Sequence, residues 1–251
     1  MSLSKNKLKY IRSLKEKKYR NEHKTFIAEG NKLVSDLLPY TRCQLLVALP
    51  EFLEEIDISL AEEVIEVNAS QLAQVSLLQH PQQALAVFYQ PHNNPNSDFS
   101  NELILALDSI QDPGNLGTII RLADWYGINH IFCSQDTVDL YNPKVVQATM
   151  GALARINVHY VDLPDFLRQH KHIPVYGTFL DGVNMYEENL TTNGIIIVGN
   201  EGNGIRPDIT KLIDRKLYIP NYPIGSHTSE SLNVAIATAI ICAEFRRRAI
   251  R

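Results

Sequence analysis

The most constraining feature of the sequence is an unbroken apolar run at residues 195–198, Ile-Ile-Ile-Val, between Gly194 and Gly199. A strand with one exposed face alternates apolar and polar side chains, whereas a strand covered on both faces shows no alternation. The run therefore predicts a buried strand of a parallel sheet with helices packed on both faces.

The rest of the chain after residue 101 alternates strand and helix patterns around this run. Strands are predicted at 102–108, 130–134, 156–161, 175–180, 194–199 and 216–220. Helices are predicted at 117–126, 143–154, 163–169 and 232–248. Strands that alternate with helices are typical of α/β folds, so we expect a doubly wound, mostly parallel sheet.

The first 90 residues predict a smaller α/β unit. Leu8, Ile11 and Leu14 recur every three residues among lysines, which favours an amphipathic helix over residues 4–20. Strands are predicted at 26–30, 44–49, 64–67 and 84–89, with helices at 31–38 and 69–77. Residues 91–101 contain two prolines and four asparagines, a composition typical of linkers. The predicted division is therefore a domain at 1–90, a linker at 91–101 and a second domain at 102–251.

Charge is distributed unevenly along the chain. Residues 1–24 carry nine basic side chains and two acidic ones, although the whole chain has a net charge of −4. A basic end on an acidic body favours contact with a polyanion at that end. A solvated helix face explains the same pattern equally well from charge alone.

Composition argues against several classes of protein. Cys43, Cys133 and Cys242 lie far apart without a CxxC pair, and the eight histidines form no HExxH motif, so we expect no metal site. The longest apolar helical stretch, at 234–243, is about half the length of a membrane span. With no basic-then-apolar leader, the sequence predicts a soluble, cytoplasmic protein without a membrane partner.

Three loops, each following a predicted strand, carry the candidate chemistry. In open α/β sheets ligands bind beyond the carboxyl ends of strands, so the loops are expected to share one site. The first loop turns at residues 112–115 and leads into the helix predicted from Gly117, whose backbone amides could hold a phosphate near Arg121. An ordinary turn with Arg121 on a solvated face is the alternative. The loop matches neither the dinucleotide nor the P-loop glycine pattern.

The second and third loops are also open to two interpretations. Glu201 lies among glycines that permit close backbone approach to a ligand, yet such loops are more often structural. In the third loop Ser231 and Asn233 flank the start of the final helix. Capping by Ser229 or Ser231 would be a purely structural role, whereas the amide of Asn233 requires a partner in a buried helix.

Taken together, the three loops resemble the motifs of the SpoU (TrmH-type) family of RNA 2′-O-ribose methyltransferases, within the SPOUT superfamily. The first motif is matched by Asn115-Leu116-Gly117 and Arg121. The second is matched by Gly199, Glu201, Gly202 and Gly204, and the third by Ile219-Pro220, Gly225 and Ser231-Leu232-Asn233-Val234. The resemblance covers residues 102–251, and residues 1–90 look like the ribosomal-protein-like RNA-binding domain that many members carry.

The resemblance implies a deep trefoil knot in the C-terminal domain, S-adenosylmethionine as the cofactor, and a homodimer that completes the active site. The implied catalytic set is Asn115, Arg121, Glu201, Ser231 and Asn233. The implied cofactor-binding set is Thr178, Gly199, Gly202, Ile219 and Leu232. The link from Ile219 to Ser231 is longer than usual for the family, so no contacts are assigned to Asn221 or His227.

The implied reaction moves a methyl group to a ribose 2′-hydroxyl of structured RNA. The family proposal makes Arg121 a base, but a guanidinium titrates far above neutral pH, which favours a clamp on the adjoining phosphate. We expect 23S rRNA as the substrate. Transfer RNA and a non-catalytic RNA-binding or ribosome-assembly role are the alternatives, and the sequence does not identify the nucleotide.

Overall fold

The computed structural model describes residues 3–91, 98–223 and 231–249. Its contacts divide the chain into two compact units. Unit 1 comprises residues 1–92 and 139–155, and unit 2 comprises residues 93–138 and 156–251.

The described residues form ten strands and ten α-helices. The strands are β1 Thr25–Glu29, β2 Cys43–Ala48, β3 Val64–Glu66, β4 Ala84–Tyr89, β5 Leu103–Leu107, β6 His130–Ser134, β7 Asn157–Val161, β8 Val175–Asn184, β9 Gly194–Val198 and β10 Arg215–Tyr218. The helices are α1 Lys5–Ser13, α2 Lys17–His23, α3 Asn31–Leu37, α4 Pro50–Leu53, α5 Ala69–Val75, α6 Pro113–Trp125, α7 Pro143–Thr149, α8 Leu163–Gln169, α9 Pro207–Thr210 and α10 Val234–Ala249. Two short 3-10 helices cover Ile58–Leu60 and Ala152–Ala154.

Unit 1 contains a four-stranded sheet in the order β1-β4-β2-β3. Strand β4 pairs antiparallel with both β1 and β2, and β2 pairs parallel with β3. One face of the sheet packs against α1 and α5 around Ile11, Leu14 and Leu72, which confirms the amphipathic pattern predicted at the N-terminus. The predicted helix at 4–20 is instead two helices, because the chain turns at residues 14–16 between α1 and α2.

Residues 139–155 belong to unit 1, although they lie within the sequence range predicted for the second domain. Arg20, which is buried, donates two hydrogen bonds to the carboxylate of Asp139 at 3.1 and 2.6 Å. Tyr141 stacks on Phe26 of β1 with ring centroids 4.8 Å apart. The segment is therefore held to the N-terminal sheet by a buried ion pair and an aromatic contact.

Unit 2 contains a six-stranded sheet in the order β10-β8-β9-β5-β6-β7, and every neighbouring pair is parallel. The predicted α/β class and parallel sheet are confirmed. Strand β9, which contains the apolar run, is buried along its whole length between β8 and β5.

Helices cover both faces of this sheet, as the sequence predicted. Phe166 and Leu167 of α8 pack with Ile104, Ile195 and Ile197, which share one face. On the other face, Phe245 of α10 makes an edge contact with Tyr176 of β8, with ring centroids 5.0 Å apart. Helix α6 packs beside α10.

Two helix predictions were wrong at their ends. Helix α6 begins at Pro113 rather than Gly117, because Asp112 caps it and proline fits the first helical position. The helix predicted at 143–154 ends at Thr149, because Met150 and Gly151 adopt left-handed backbone conformations.

Part of the predicted linker, residues 92–97, lies outside the described residues. Phe99, also predicted in the linker, is fully buried against Phe132 in the core of unit 2. Among the described helices, none is both long enough and apolar enough to cross a bilayer.

Candidate active site

The first two motifs lie at the same edge of the sheet in unit 2. Asn115 lies near the start of α6, in the connection that follows β5, and Glu201 follows β9. Strands β5 and β9 pair in parallel, from Leu103 opposite Gly194 to Leu107 opposite Val198. Because their carboxyl ends lie side by side, the two following loops are brought together, as the sequence predicted.

A chain of hydrogen bonds joins one residue from each motif. The Nδ2 of Asn233 donates to the Oδ1 of Asn115 at 2.9 Å. The Nδ2 of Asn115 in turn donates to the Oε1 of Glu201 at 2.5 Å. The direction of each bond requires one orientation of each amide, since a carboxylate only accepts. Three polar side chains from distant parts of the sequence thus form one continuous arrangement.

Asn233 also supplies the cap of α10. Its Oδ1 accepts from the backbone N–H groups of Ala235 and Ile236 at 3.0 and 3.3 Å. Asn233 is therefore the residue that caps the final helix. Of the two serines that the sequence offered as caps, Ser231 forms no hydrogen bond with a described residue, and Ser229 lies outside the described residues. The amide of Asn233 is fixed at both ends, by the helix and by Asn115.

The loop that carries Glu201 is folded tightly onto itself. Asn200 and Gly204 exchange backbone hydrogen bonds of 3.1 and 2.9 Å. A Cβ added at Gly199 would lie 2.3 Å from the carbonyl carbon of Gly204, so this position requires glycine. At Gly202, by contrast, an added Cβ would meet only the Oδ1 of Asn200 at 3.5 Å. Close backbone packing inside the loop therefore explains Gly199 but not Gly202.

The predicted phosphate site at the start of α6 is wrong. The helix begins at Pro113, which has no N–H, and the carboxylate of Asp112 accepts from the N–H of Asn115 at 2.8 Å. A phosphate at this position would be repelled by the carboxylate of Asp112, and fewer backbone N–H groups would be free to bind it. The Asp-Pro pair thus serves as a helix cap rather than an anion site.

Arg121 lies in the third turn of α6, further along the helix than the sequence predicted. It is exposed, and it has no hydrogen bond or ion pair with any described residue. Six residues along a helix correspond to about 9 Å and a rotation of about 240°. Within a single chain, Arg121 is therefore separated from the hydrogen-bonded set of Asn115, Glu201 and Asn233.

The predicted cofactor-binding residues lie in or after three adjacent strands, β8, β9 and β10, and before α10. Thr178 is half-buried in β8, one residue beyond Gly177, which pairs with Ile197 of β9. Ile219 follows β10 and is half-buried, and Leu232 precedes α10 with 47% of its surface exposed. Gly225 and His227 are outside the described residues. The backbone of Gly199 and the apolar side chains of Ile219 and Leu232 are therefore among the groups that the described part of the chain offers to a cofactor.

Sequence reasoning missed a polar network beneath the site. Asp108, which is fully buried at the end of β5, accepts from the Nε and the backbone N–H of Arg206, both at 2.8 Å. Next to it, Ser109 donates to Asp136 at 2.5 Å. Partial burial raises the pKa of Asp136, but hydrogen bonds from Ser109 and Ser134 outweigh it, so the pKa lies below its usual range. A charged residue at the end of an apolar strand was the signal that could have found this network.

Some basic residues of the N-terminus form ion pairs within the chain, and the others do not. Lys7 pairs with Glu63 and Arg20 with Asp139. The other seven basic residues are exposed and have no ion pair within the described part of the chain: Lys5, Lys9, Arg12, Lys15, Lys17, Lys18 and Lys24. The described residues contain no group of three or more His, Cys, Asp and Glu side chains placed to hold a metal.

Comparison with known proteins supports the resemblance in both parts of the chain. The model of the SpoU rRNA Methylase family matches residues 102–243, and that of the MRM3-like substrate binding domain matches residues 5–86. A relative in Bacillus subtilis (strain 168), 23S rRNA (guanosine(2553)-2′-O)-methyltransferase RlmP, is 32% identical over 98% of both chains.

Solved structures agree. A protein of the TrmH family from Porphyromonas gingivalis has a TM-score of 0.90 at 42% identity, covering 99% of this chain and 100% of that one. The AdoMet-bound rRNA methyltransferase from Sinorhizobium meliloti has a TM-score of 0.88 at 31% identity, covering 99% and 97%. The chain belongs to the SpoU rRNA methylase family.

Proposed function

We propose that this protein is an enzyme that transfers a methyl group from S-adenosylmethionine to a ribose 2′-hydroxyl of 23S rRNA. The observation that carries the proposal is the hydrogen-bond chain from Asn233 through Asn115 to Glu201. It holds three polar side chains from three loops in fixed positions at one edge of the sheet, as a reaction requires of the groups that orient its substrate. The full-length relative in Bacillus subtilis, whose name specifies 23S rRNA, supports the choice of substrate.

The hydrogen-bonded set orients acceptors and donors toward a reacting nucleotide. Glu201 Oε1 is occupied by Asn115, which leaves the exposed Oε2 to accept from a substrate donor. The second N–H of the Asn115 amide is likewise available to a substrate oxygen. Because the cap of α10 fixes Asn233, the set is oriented before the substrate binds. Most of the rate enhancement then comes from positioning the 2′-hydroxyl for in-line attack.

The residues in β8, after β9 and β10, and before α10 fit the cofactor. Ile219 and Leu232 offer apolar surface to an adenine ring, while Thr178, Gly199 and Gly202 offer a hydroxyl and backbone groups. A Cβ at Gly202 would make only an ordinary contact with Asn200, so close packing within the chain does not require glycine there, and close approach of a ligand is a reason for it. When bound, S-adenosylmethionine supplies the electrophilic methyl group.

Arg121 acts as a clamp on the RNA phosphate and not as a base. Its guanidinium presents a planar set of donors that suits a phosphate. The side chain is exposed, and it forms no hydrogen bond or ion pair with a described residue. Arg121 lies about 9 Å along α6 from Asn115 of the same chain. This separation supports an active site in which Asn115 of one chain acts together with Arg121 of a second copy. Ser231, exposed beside Leu232, belongs to the same catalytic set.

The proposal includes a homodimer formed through the C-terminal domain. Ile236 on α10 is 52% exposed and Trp125 at the end of α6 is 84% exposed. Large apolar side chains on two helices that pack together are typical of a surface that another protein covers. Val234 and Ile241 of the same helix are buried within the chain, so they do not contribute to this surface.

The proposal also includes the trefoil knot. Strand β10 lies at one edge of the sheet, yet Asn233 is bonded to Asn115, which follows β5, three strands away. This bond, between segments that lie far apart in the strand order, supports a knot of the kind that the family resemblance implies. The proposal assigns RNA binding to residues 1–90 and methyl transfer to residues 102–251, with a linker at 91–101. Residues 139–155 belong to unit 1, and Phe99 of the linker is buried in the core of unit 2.

The test is methyl transfer by the purified protein to 23S rRNA from cells that lack the gene, followed by mapping of 2′-O-methyl positions. We expect one position to gain the methyl group with the native protein, and the same position to gain it about 10²-fold more slowly with Asn115→Ala. Arg168→Ala, which removes an exposed ion pair on α8, is the matched control. Transfer only to tRNA would favour the tRNA alternative, and RNA binding without any transfer would favour the assembly role.

A further inference from the structure

The loop from Gly199 to Arg206 is hydrogen-bonded at each of its ends to one of two consecutive residues, Asp108 and Ser109, of the connection that follows β5. Asn200, at its start, donates through Nδ2 to the backbone carbonyl of Ser109 at 2.8 Å. Arg206, at its end, binds the carboxylate of Asp108. Glu201 lies between these attachments, and its partner Asn115 lies six residues after Ser109 on the same connection. The contacts thus join the two loops beside the bond between Glu201 and Asn115.

The attachment at Arg206 is an ion pair in which only the carboxylate is buried. Asp108 is fully buried, so its charge depends on the donors that the fold supplies. Arg206 supplies two of them, the Nε to Oδ1 and the backbone N–H to Oδ2, each at 2.8 Å. The Arg206 side chain is 43% exposed, so it can be replaced without opening a cavity in the core. The backbone donor survives any such replacement.

The attachment at Asn200 uses both ends of one amide. The Oδ1 accepts from the N–H groups of Gly202 and Asn203 at 2.9 and 3.1 Å, which fixes the turn that carries Glu201. The Nδ2 makes the bond to Ser109. One side chain therefore shapes the loop and also sets its distance from the neighbouring loop.

Ser109, which accepts the bond from Asn200, is itself held in an unusual conformation. Ser109 has a φ of 59°, a left-handed conformation that is uncommon for residues other than glycine. Its N–H donates to Ser134 at 2.8 Å and its hydroxyl to Asp136. Strained residues held by several contacts are concentrated at functional sites.

We propose that Asp108, Arg206 and Asn200 are positioning residues that hold the carboxylate of Glu201 against the amide of Asn115. This inference rests on the proposed function, in which these two side chains act on the reacting nucleotide. An exposed carboxylate on a loop with glycines at 202 and 204 would otherwise sample many positions. The two attachments remove that freedom from outside the reacting site.

Three variants separate the attachments from the folding of the domain. Arg206→Ala removes the side-chain donor and keeps the backbone donor, and Arg206→Lys keeps the charge without the Nε–H. Asn200→Asp keeps the acceptor for Gly202 and Asn203 but replaces the donor to Ser109 with an acceptor. Arg168→Ala is the control, because it also removes an arginine from an ion pair, but on α8.

The first measurement is the NMR signal of the Asn115 side-chain amide, assigned by its absence in Asn115→Ala. Glu201→Ala gives the signal of the amide without its partner. We expect Arg206→Ala and Asn200→Asp to move the signal most of the way to that value, Arg206→Lys to move it part of the way, and Arg168→Ala to leave it unchanged. A native signal in Arg206→Ala and Asn200→Asp overturns the proposal whatever the activity.

The second measurement is the single-turnover rate of methyl transfer at saturating RNA and S-adenosylmethionine. We expect Arg206→Ala to lower the rate about 10- to 100-fold, a typical effect of misplaced groups, with RNA affinity unchanged within about twofold. Combined with Glu201→Ala, it should add almost nothing, because it acts through Glu201. Independent, multiplying losses in the two variants would overturn the proposal.

The two measurements also separate this inference from the function on which it rests. If Arg206→Ala moves the Asn115 signal while Glu201→Ala transfers methyl groups at the native rate, the positioning is upheld and the proposed catalytic role fails. Thermal unfolding of every variant by circular dichroism establishes that the losses occur in folded protein.

Discussion

The basic helices of unit 1 and the strand-end loops of unit 2 use polar side chains in opposite ways. Seven of the basic residues in the first 24 positions are exposed and unpaired among the described residues, so their charge is available without a fixed geometry. In unit 2, Asn115, Glu201 and Asn233 are bonded to one another within 2.9 Å. Attraction of a polyanion requires only charge, whereas a reaction requires position.

Arg121 is the residue that tests this contrast most severely, because it has an exposed charge yet is assigned to the reaction. Arg121→Ala should lower single-turnover transfer about 10²- to 10³-fold, the typical loss when one preorganised donor is removed. Its affinity for RNA and cofactor should change only a few-fold. Arg121→Lys should not restore the rate, because an ammonium lacks the planar fork.

The outcome that would break the comparison is a parallel loss of affinity and rate in Arg121→Ala. Arg121 would then belong with the N-terminal charges rather than with the reacting set. Rapid-quench rates and equilibrium binding of the same RNA, measured on the same preparations, distinguish these cases.

Neutralisation of Lys15, Lys17 and Lys18 should have the converse effect. All three are exposed, and if they contact about three phosphates the slope of log affinity against log salt should fall by roughly 2–3. The rate at saturating RNA should remain near the native value. A matched control is neutralisation of Lys32, whose charge is already paired with Asp36. An unchanged salt slope would mean that this face is only a solvated helix surface.

The two glycines of the second motif sharpen the contrast within unit 2. Gly199→Ala places a Cβ 2.3 Å from the backbone of Gly204 and should destabilise the fold by about 1–3 kcal/mol. Gly202→Ala meets only ordinary contacts and should change stability by less than about 0.5 kcal/mol. Denaturant unfolding measures the stabilities, and calorimetry measures S-adenosylmethionine binding. Weakened binding in a stable Gly202→Ala protein would place the cofactor against that residue.

A smaller effect is expected from the histidines on β6 and β7. Burial, together with neighbouring His130, lowers the pKa of His159 to about 4 from its ordinary value of 6.5. The unfolded chain binds this proton more readily, so His159 lowers stability progressively as pH falls from about 6.5 to about 4. His159→Gln should flatten the pH dependence of the melting temperature in that window, whereas exposed His80→Gln should not. Equal slopes in the two variants would refute this assignment.

The sequence predicted the strands of both sheets to within a few residues, because apolar runs such as 195–198 fit no other element. It failed at helix α6, where the start was assigned at Gly117 although Asp112 and Pro113 already form a cap. It also failed to place residues 139–155, because apolar periodicity shows that a segment is buried but not in which core.

The site was predictable in its residues but not in its bonds. Family motifs singled out Asn115, Glu201 and Asn233, yet nothing in their spacing specifies which amide donates to which oxygen. The pair of Asp108 and Arg206 lies 98 positions apart in the sequence and belongs to no motif that was singled out. Contacts of this kind depend on how two loops are folded together, which requires the structure.

The most direct test of the central claim, that the three motifs act as one hydrogen-bonded unit, is a double-mutant cycle on single-turnover methyl transfer. Asn115→Ala removes the central residue, and Asn233→Asp removes the donor to it while keeping a good helix cap. Each should lower the rate about 10²-fold, and the double variant should be no slower than the slower single one. A native rate in either single variant, or losses that multiply in the double, would contradict the claim.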